Sequence, residues 1–154
     1  MIHRIATLAL MCAVFVCFTP SLASSQDMDA RTTTMVMVNA LEWAPLEVPG
    51  FDTGMQIAAL HGNFAEEGVY SLRLSFPDGY RFPAHFRPMD ENLTVIEGTL
   101  LLGMGDAEDE SQLVSYGPGD FLNIPGEHPH FGGATGYTVI QLHGVGPFAI
   151  LLVE

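Results

Sequence analysis

One short stretch of the chain holds the residue types of a metal site with one ligand changed. Residues 83–98 are PAHFRPMDENLTVIEG, in which Arg87 lies two positions after His85, and Glu91 lies four positions after Arg87. Alternate residues of a strand face the same side, so the side chains at positions 85 and 87 point the same way, and Glu91 can approach them after a short turn. Imidazole and carboxylate groups suit divalent Fe, Mn, Ni, Cu or Zn. The stretch therefore suggests a divalent metal site.

Arg87 leaves the chemistry of this stretch open. A guanidinium has no lone pair to donate, so Arg87 is not a metal ligand. It competes with a cation for the carboxylate if it pairs with Glu91, and metal binding then requires Arg87 to turn outward or another histidine to replace it. Without a metal, Arg87 is either a bidentate clamp for an anionic ligand or an internal salt-bridge partner of Glu91.

Short strands must position these residues. Ten or so short apolar segments are separated by Gly and Pro, and none has a sustained helical period. The segment GVYSLRLSF (68–76) alternates, with Tyr70, Leu72, Leu74 and Phe76 on one face. We predict one all-β domain, a sandwich or barrel, with no helix longer than a turn. Other predicted strands include MVMVNALEW (35–43), MQIAALHG (55–62) and two strands within NLTVIEGTLLLGMG (92–105), joined at Glu97-Gly98.

The first 23 residues have the three parts of a secretory signal peptide. A short charged start precedes the apolar run from Ile5 to Phe18, and a small-residue ending follows at Ser21-Leu22-Ala23. The apolar run is shorter than the ~20 residues that a transmembrane helix needs. We therefore expect cleavage after Ala23 and a secreted or periplasmic protein with no membrane attachment. The mature chain would consist of a flexible N-terminus (24–34) and one domain (35–154).

Signal cleavage also changes the composition. Both cysteines lie in the signal, so the mature chain has no disulfide, thiolate ligand or cysteine nucleophile. The sequence contains no lysine, and four arginines against 18 acidic residues give the mature chain a net charge of −14. Nucleic acid and anionic membranes are poor partners for such a surface. We expect the partner to be a small-molecule ligand.

Two Gly-bracketed segments resemble the motifs of the cupin superfamily. The first motif is Gly, five residues, His-x-His, three or four residues, Glu, six residues, Gly. Residues 79–98, GYRFPAHFRPMDENLTVIEG, match every spacing, with Arg87 in place of the second His. The second motif is Gly, five residues, Pro-x-Gly, two residues, His, three residues, Asn. Residues 119–134, GDFLNIPGEHPHFGGA, keep Gly119, Pro125 and His130 but have Glu127 at the inner Gly and Ala134 at the Asn.

The resemblance extends over roughly residues 35–153, to a group of small, secreted, RmlC-like single-domain cupins. It implies a double-stranded β-helix, the cupin jelly-roll barrel, with the site inside. It also implies that His85, Glu91 and His130 are the metal ligands. Two His and one carboxylate form the facial set of non-haem iron oxygenases. Small cupins commonly pair as homodimers, so the resemblance implies a homodimer as well.

Three further residues are candidates for substrate binding or for support of the ligands. His128 lies two positions before His130, so on an extended strand it shares that residue's face. Gln141 and His143 share a face within YTVIQLHGV, and the resembled group tends to have a histidine at position 143. Either histidine could replace the ligand lost at Arg87, which we also place among the substrate-binding residues.

These observations lead to one hypothesis and two alternatives. The first is a metal-dependent dioxygenase or isomerase that acts on a small, anionic organic molecule oriented by Arg87. The second is a metal-free ligand-binding or sensing cupin, in which Arg87 binds an anion or pairs with Glu91. The third is an empty structural barrel that works through its surface.

Overall fold

A computed structural model of the protein describes residues 33–153. The predicted signal peptide and residues 24–32 lie outside this range. The described residues form strands and two short 3₁₀ turns, so the all-β prediction is confirmed, and none of their helical turns is long or apolar enough to cross a membrane. The strands are β1 (Ala44–Pro45), β2 (Gln56–His61), β3 (Gly68–Phe76), β4 (Arg81–Phe86), β5 (Glu91–Met104), β6 (Val114–Tyr116), β7 (Phe121–Ile124), β8 (His130–Gly146) and β9 (Leu151–Leu152), and the 3₁₀ turns are Val38–Ala40 and Glu110–Gln112.

The two longest strands, β5 and β8, organise the sheet. They pair antiparallel along nearly their whole length, from Asn92 opposite His143 to Met104 opposite His130. The C-terminal part of β8 also pairs with β3, whereas its N-terminal part pairs with β4. Strands β6 and β7 pair with the two ends of β5. Each long strand therefore links two sets of neighbours, and the sheet curls around one core.

The alternating pattern of the strands determines which side chains enter that core. In β3 the four residues predicted to share a face, Tyr70, Leu72, Leu74 and Phe76, are all buried. In the partner strand β8, Ile140 and Leu142 are buried as well. Apolar residues of β2 to β5, β7 and β8 complete the cluster. The face of the sheet that points into the core is therefore apolar wherever buried and exposed residues alternate along a strand.

Two predicted strands differ from the structure. The segment MVMVNALEW forms no strand; it contains a 3₁₀ turn, and only Ala44 and Pro45, just after it, pair with β2. A strand needs a partner ladder as well as suitable residues, and this segment has none among the described residues. The segment NLTVIEGTLLLGMG forms one strand rather than two, with irregular pairing around Glu97.

Gly98 allows β5 to continue through this irregularity. Its backbone φ is +76°, in the left-handed region that favours glycine. A Cβ atom placed there would also collide with the carbonyl oxygen of Tyr137 and the hydroxyl of Thr138 in β8. Glycine is therefore required at this crossing of β5 and β8 for both conformational and steric reasons.

We predict that Gly98→Ala lowers the free energy of unfolding by about 3 kcal/mol, because it adds left-handed strain to a backbone clash. Gly117→Ala is the matched control, since an added Cβ there has no neighbour within 4 Å and φ is not positive. Urea unfolding of both variants tests this. If the two variants have equal free energies of unfolding, the crossing of β5 and β8 accommodates the added methyl group without loss of stability.

Candidate functional site

The structure brings together His85, Arg87 and Glu91 of the first motif and His130 of the second motif. His85 lies in β4 directly opposite His130 at the start of β8, and Glu91 begins β5. Arg87 immediately follows the end of β4. The exposed fractions are 3% for both histidines, 4% for Glu91 and 7% for Arg87. Arg87 and Glu91 are the only buried charged side chains in residues 33–153 apart from the titratable histidines.

A turn of the second motif fixes the backbone around Arg87. The Glu127 amide donates to the Arg87 carbonyl oxygen at 2.7 Å. A Cβ on Gly126 would lie 2.7 Å from the carbonyl oxygen of Pro88, so this turn packs tightly against residues 87–90. Glu127 has a φ of +62°, the conformation that the motif's inner glycine would adopt easily. Glu127 therefore replaces the motif's inner glycine, but the turn keeps the backbone conformation that glycine favours.

Arg87 forms a buried ion pair with Glu91. Its Nε donates to Glu91 Oε2 at 2.5 Å, and its Nη1 makes a longer contact of 3.4 Å to the carbonyl oxygen of Ala149. The guanidinium carbon lies 4.1 Å from the centroid of the Phe148 ring, in cation–π geometry. Of the two metal-free roles considered for Arg87, the structure shows the internal salt bridge.

Both site histidines are anchored through the same ring nitrogen. His85 Nδ1 donates to the carbonyl oxygen of Pro83 at 2.9 Å, and His130 Nδ1 donates to that of His128 at 3.1 Å. A neutral imidazole has one N–H, so each Nε2 carries a lone pair. Burial, followed by the neighbouring His130, lowers the pKa of His85 to about 3, and burial also lowers the pKa of His130. Both rings are therefore neutral hydrogen-bond acceptors at neutral pH.

The donor set partly suits a divalent ion, but its arrangement does not. His130 Nε2 lies 3.6 Å from Glu91 Oε2, and the two imidazole centroids are 4.3 Å apart. The same Oε2 accepts the bond from Arg87, which places a fixed positive charge beside the space between the ligands. Within residues 33–153, no group of three or more His, Cys, Asp or Glu has the geometry to hold a metal. A metal at His85, Glu91 and His130 stays a prediction that requires Arg87 to release Glu91.

The four polar residues line one part of a small cavity. Its volume is about 30 Å³, enough for about two water molecules. The remaining lining is apolar and comes from several strands and loops, namely Phe51, Met55, Leu74, Phe76, Phe82, Leu93, Leu100, Leu102, Ile140 and Ile150. A ligand here would meet polar groups at one place and hydrocarbon elsewhere.

Three predicted neighbours of the site do not reach the cavity. Gln141 and His143 alternate with the buried Ile140 and Leu142 in β8, so their side chains point away from the core. Gln141 accepts a bond from Arg73, and His143 is exposed. His128 is also exposed and contributes only its carbonyl oxygen, which anchors His130. None of the three replaces the ligand missing at position 87, because β8 turns Gln141 and His143 outward and His128 lies before β8 begins.

Several residues of the site were not found from the sequence. Phe148 and Ala149 contact Arg87, and Phe51 packs edge-on against His85 with ring centroids 4.9 Å apart. They come from loops distant in sequence and lie in no motif.

Comparison with known proteins identifies the fold. No family model matches the sequence, and no curated protein sequence does. The structure is similar to a cupin-2 domain from Rhodospirillum rubrum, with 11% identity over 80% of this chain and 82% of that chain and a TM-score of 0.61. This chain has the cupin fold. The predicted jelly-roll barrel fold is thereby confirmed.

Two other cupin-fold neighbours have names that state an activity. The polyketide cyclase RemF from Streptomyces resistomycificus is 18% identical, with coverage of 80% of this chain and 87% of that chain and a TM-score of 0.67. A putative acetylacetone dioxygenase from Methylibium petroleiphilum PM1 is 14% identical, with coverage of 80% of this chain and 83% of that chain and a TM-score of 0.62. At such identities the likeness concerns the fold.

We predict that Arg87→Met lowers the free energy of unfolding by about 3–5 kcal/mol, because it leaves the Glu91 carboxylate buried without a partner. The double variant Arg87→Met with Glu91→Leu should recover most of this loss. Arg73→Met, which removes a half-buried arginine bonded to Gln141, is the control and should cost about 1 kcal/mol. If denaturant unfolding gives equal losses for Arg87→Met and Arg73→Met, the ion pair does not stabilise the site.

The lowered histidine pKa values predict a loss of stability below pH 6.5. Below pH 6.5 the unfolded chain binds protons at both histidines, whereas their lowered pKa values in the folded protein delay protonation to a lower pH, so stability is retained above pH 6.5 and decreases as pH falls. For His85, a pKa of about 3 against 6.5 gives a loss of about 2 kcal/mol at pH 5. Urea unfolding at pH 7 and pH 5 should show a smaller loss of unfolding free energy for His85→Phe than for the wild type. Equal losses would contradict the lowered pKa of His85.

Proposed function

We propose that this protein is a small-molecule-binding cupin whose barrel site takes no divalent metal in the ligand-free state. The observation that carries the proposal is the buried bond from Arg87 Nε to Glu91 Oε2. The carboxylate that a metal would need already has a cationic partner. In this interpretation, the guanidinium of Arg87 supplies the positive charge that a bound metal would otherwise supply to Glu91.

Electrostatics supports this interpretation. Arg87 and Glu91 together are neutral, and so are the two imidazoles, so the cavity has no net charge to attract a dication. At an effective dielectric constant of 20, two unit charges about 4 Å apart interact by about 4 kcal/mol, and a dication beside Arg87 would meet twice that repulsion. Two imidazole ligands would have to offset this cost after Glu91 had also left its partner.

The cavity indicates which kind of molecule it would bind. Two imidazole Nε2 atoms accept hydrogen bonds at its polar part, and the surrounding lining is apolar. A molecule with a small polar head and an apolar body matches that distribution. Because the cavity volume is about 30 Å³, a ligand of more than a few atoms requires lining side chains such as Phe51 or Ile150 to move.

Metal-dependent oxygenation or isomerisation is the second candidate function. One observation favours it: both site histidines donate Nδ1–H to a carbonyl oxygen and leave Nε2 free, as metal-ligating histidines usually do. Fe, Mn, Ni, Cu or Zn held by His85, Glu91 and His130 would supply a Lewis acid there. The similar structures named as a cyclase and a putative dioxygenase make an enzyme a reasonable expectation for this fold.

Metal analysis of the mature protein (24–154), purified without a histidine tag, separates these candidates. We expect far less than one metal per chain in the wild type and about one in Arg87→His, which restores a ligand and frees Glu91. Arg73→His is the matched control, because it adds a histidine away from the cavity and should gain no bound metal. About one tightly bound metal per wild-type chain would contradict the proposal and favour the metalloenzyme.

A further inference from the structure

The sheet has an outer face, on the side away from the barrel cavity, that carries two rows of side chains across five strands. The strands lie in the order β7, β5, β8, β3 and β2, and directly opposed residues form each row. The first row consists of Asn123, Asn92, His143, Ser71 and His61. The second row consists of Phe121, Thr94, Gln141, Arg73 and Ala58. These rows alternate with the buried Leu93, Leu142 and Leu72, so they face away from the core.

We propose that this outer face binds a neutral, extended oligosaccharide of β-1,4-linked pyranose rings. The site is separate from the barrel cavity and shares no side chain with the cavity lining. The inference therefore goes beyond the proposed function and does not depend on what the cavity binds.

The outer face has no carboxylate, although the chain is strongly acidic. The sequence has 18 Asp and Glu residues against five Lys and Arg, yet neither row contains an acid, and Arg73 is its one arginine. Arg73 Nε donates to Gln141 Oε1 at 3.2 Å, and within residues 33–153 no carboxylate forms a salt bridge with Arg73. Amide, hydroxyl and imidazole groups bind hydroxyl-rich molecules without requiring a charge. A polyanion, by contrast, would be repelled by the net charge of the whole chain.

Hydrogen bonds between strands hold the amide side chains of the first row in place. Asn123 Nδ2 donates to Asn92 Oδ1 at 2.9 Å, and Asn92 Nδ2 makes a contact of 3.4 Å to the His143 carbonyl oxygen. An amide NH₂ has two N–H groups, so each asparagine retains a donor for a ligand hydroxyl. Side chains that are fixed in advance lose little conformational entropy on binding. The row is therefore preorganised for a polar ligand.

Phe121 supplies an apolar surface next to these polar groups. Its side chain is 56% exposed, and its ring stacks with the His143 imidazole at a centroid distance of 6.4 Å and an interplanar angle of 24°. A β-1,4-linked pyranose chain is extended, with C–H groups on the flat faces of its rings and hydroxyls at their edges. The C–H faces pack on an aromatic ring by dispersion, while the hydroxyls reach neighbouring amides. Phe121 and the asparagine row together match both parts of such a ligand.

The dimensions of the outer face favour a narrow chain over a second copy of the protein. Five strands about 4.8 Å apart span about 19 Å, and two rows about 7 Å apart give a strip about 10 Å wide. The resulting area of about 200 Å² is far below the ~800 Å² per partner of a stable protein interface. An extended oligosaccharide is one ring wide, so a strip of this size is sufficient for it.

Calorimetric titration of residues 24–154 with cellohexaose, xylohexaose and mannohexaose tests the proposal. We expect saturable binding of at least one of these β-1,4-linked chains, and at least about tenfold weaker binding of maltohexaose, whose α-1,4 linkage makes it helical. The affinity should change by less than about twofold between low and high salt, because the ligand is neutral. Absence of binding by all three chains would overturn the inference. Tighter binding of polygalacturonate that weakens with salt would overturn the assignment to a neutral ligand.

Variants locate the binding site. Phe121→Ala should weaken the binding about tenfold, because it removes the stacking surface, whereas Phe121→Trp should retain it. Met104→Ala is the matched control, since it removes an exposed apolar side chain at the opposite end of β5 and should leave the affinity unchanged. Undiminished affinity in Phe121→Ala would overturn the assignment to the outer face. A dimer in sedimentation equilibrium that Phe121→Ala dissociates would overturn it in favour of a second copy.

Discussion

The buried ion pair between Arg87 and Glu91 is the interaction on which the chemistry of this barrel depends. Each charge is nearly excluded from water and would be costly without the other. Together they form a neutral unit next to two neutral imidazoles. A site of the same shape with a second histidine at position 87 would have a free carboxylate and three imidazoles, which is a donor set for a metal. One side chain therefore changes what the cavity can bind while the fold stays the same.

The fold holds Arg87 from three directions. The end of β4 supplies its backbone, the turn at Gly126 and Glu127 packs against the following residues, and the segment before β9 supplies Phe148 and Ala149. The Phe148 ring covers the guanidinium, and the Ala149 carbonyl accepts one of its N–H groups. The Phe148 and Ala149 contacts suit a planar, extended cation. Arg87 is therefore held inside the barrel by specific contacts and is not a surface residue whose side chain has turned inward.

Much of this arrangement could be predicted from the sequence, for identifiable reasons. Alternation in GVYSLRLSF predicted β3 and its buried face, because one buried face imposes a period of two. The spacing of the two motifs predicted that His85, Arg87, Glu91 and His130 lie close together. The same alternation, applied to β8, could have excluded Gln141 and His143 once Ile140 and Leu142 were assigned to the core.

Other features depend on contacts that a local pattern does not contain. The segment MVMVNALEW has the composition of a strand but no partner ladder among the described residues. Phe148 and Ala149 reach Arg87 only through the tertiary fold. The choice between an internal salt bridge and an anion clamp for Arg87 depended on the distance to Glu91, which residue types could not supply.

The most direct test of this account is a crystal structure of residues 24–154, with anomalous data collected at the absorption edges of the first-row metals. The account predicts Arg87 Nε within hydrogen-bond distance of Glu91 and no anomalous peak between His85 and His130. An anomalous peak coordinated by both Nε2 atoms and by Glu91, with Arg87 turned away, would contradict it. In that case Arg87 would take no part in the site, which would bind a metal despite the arginine at position 87.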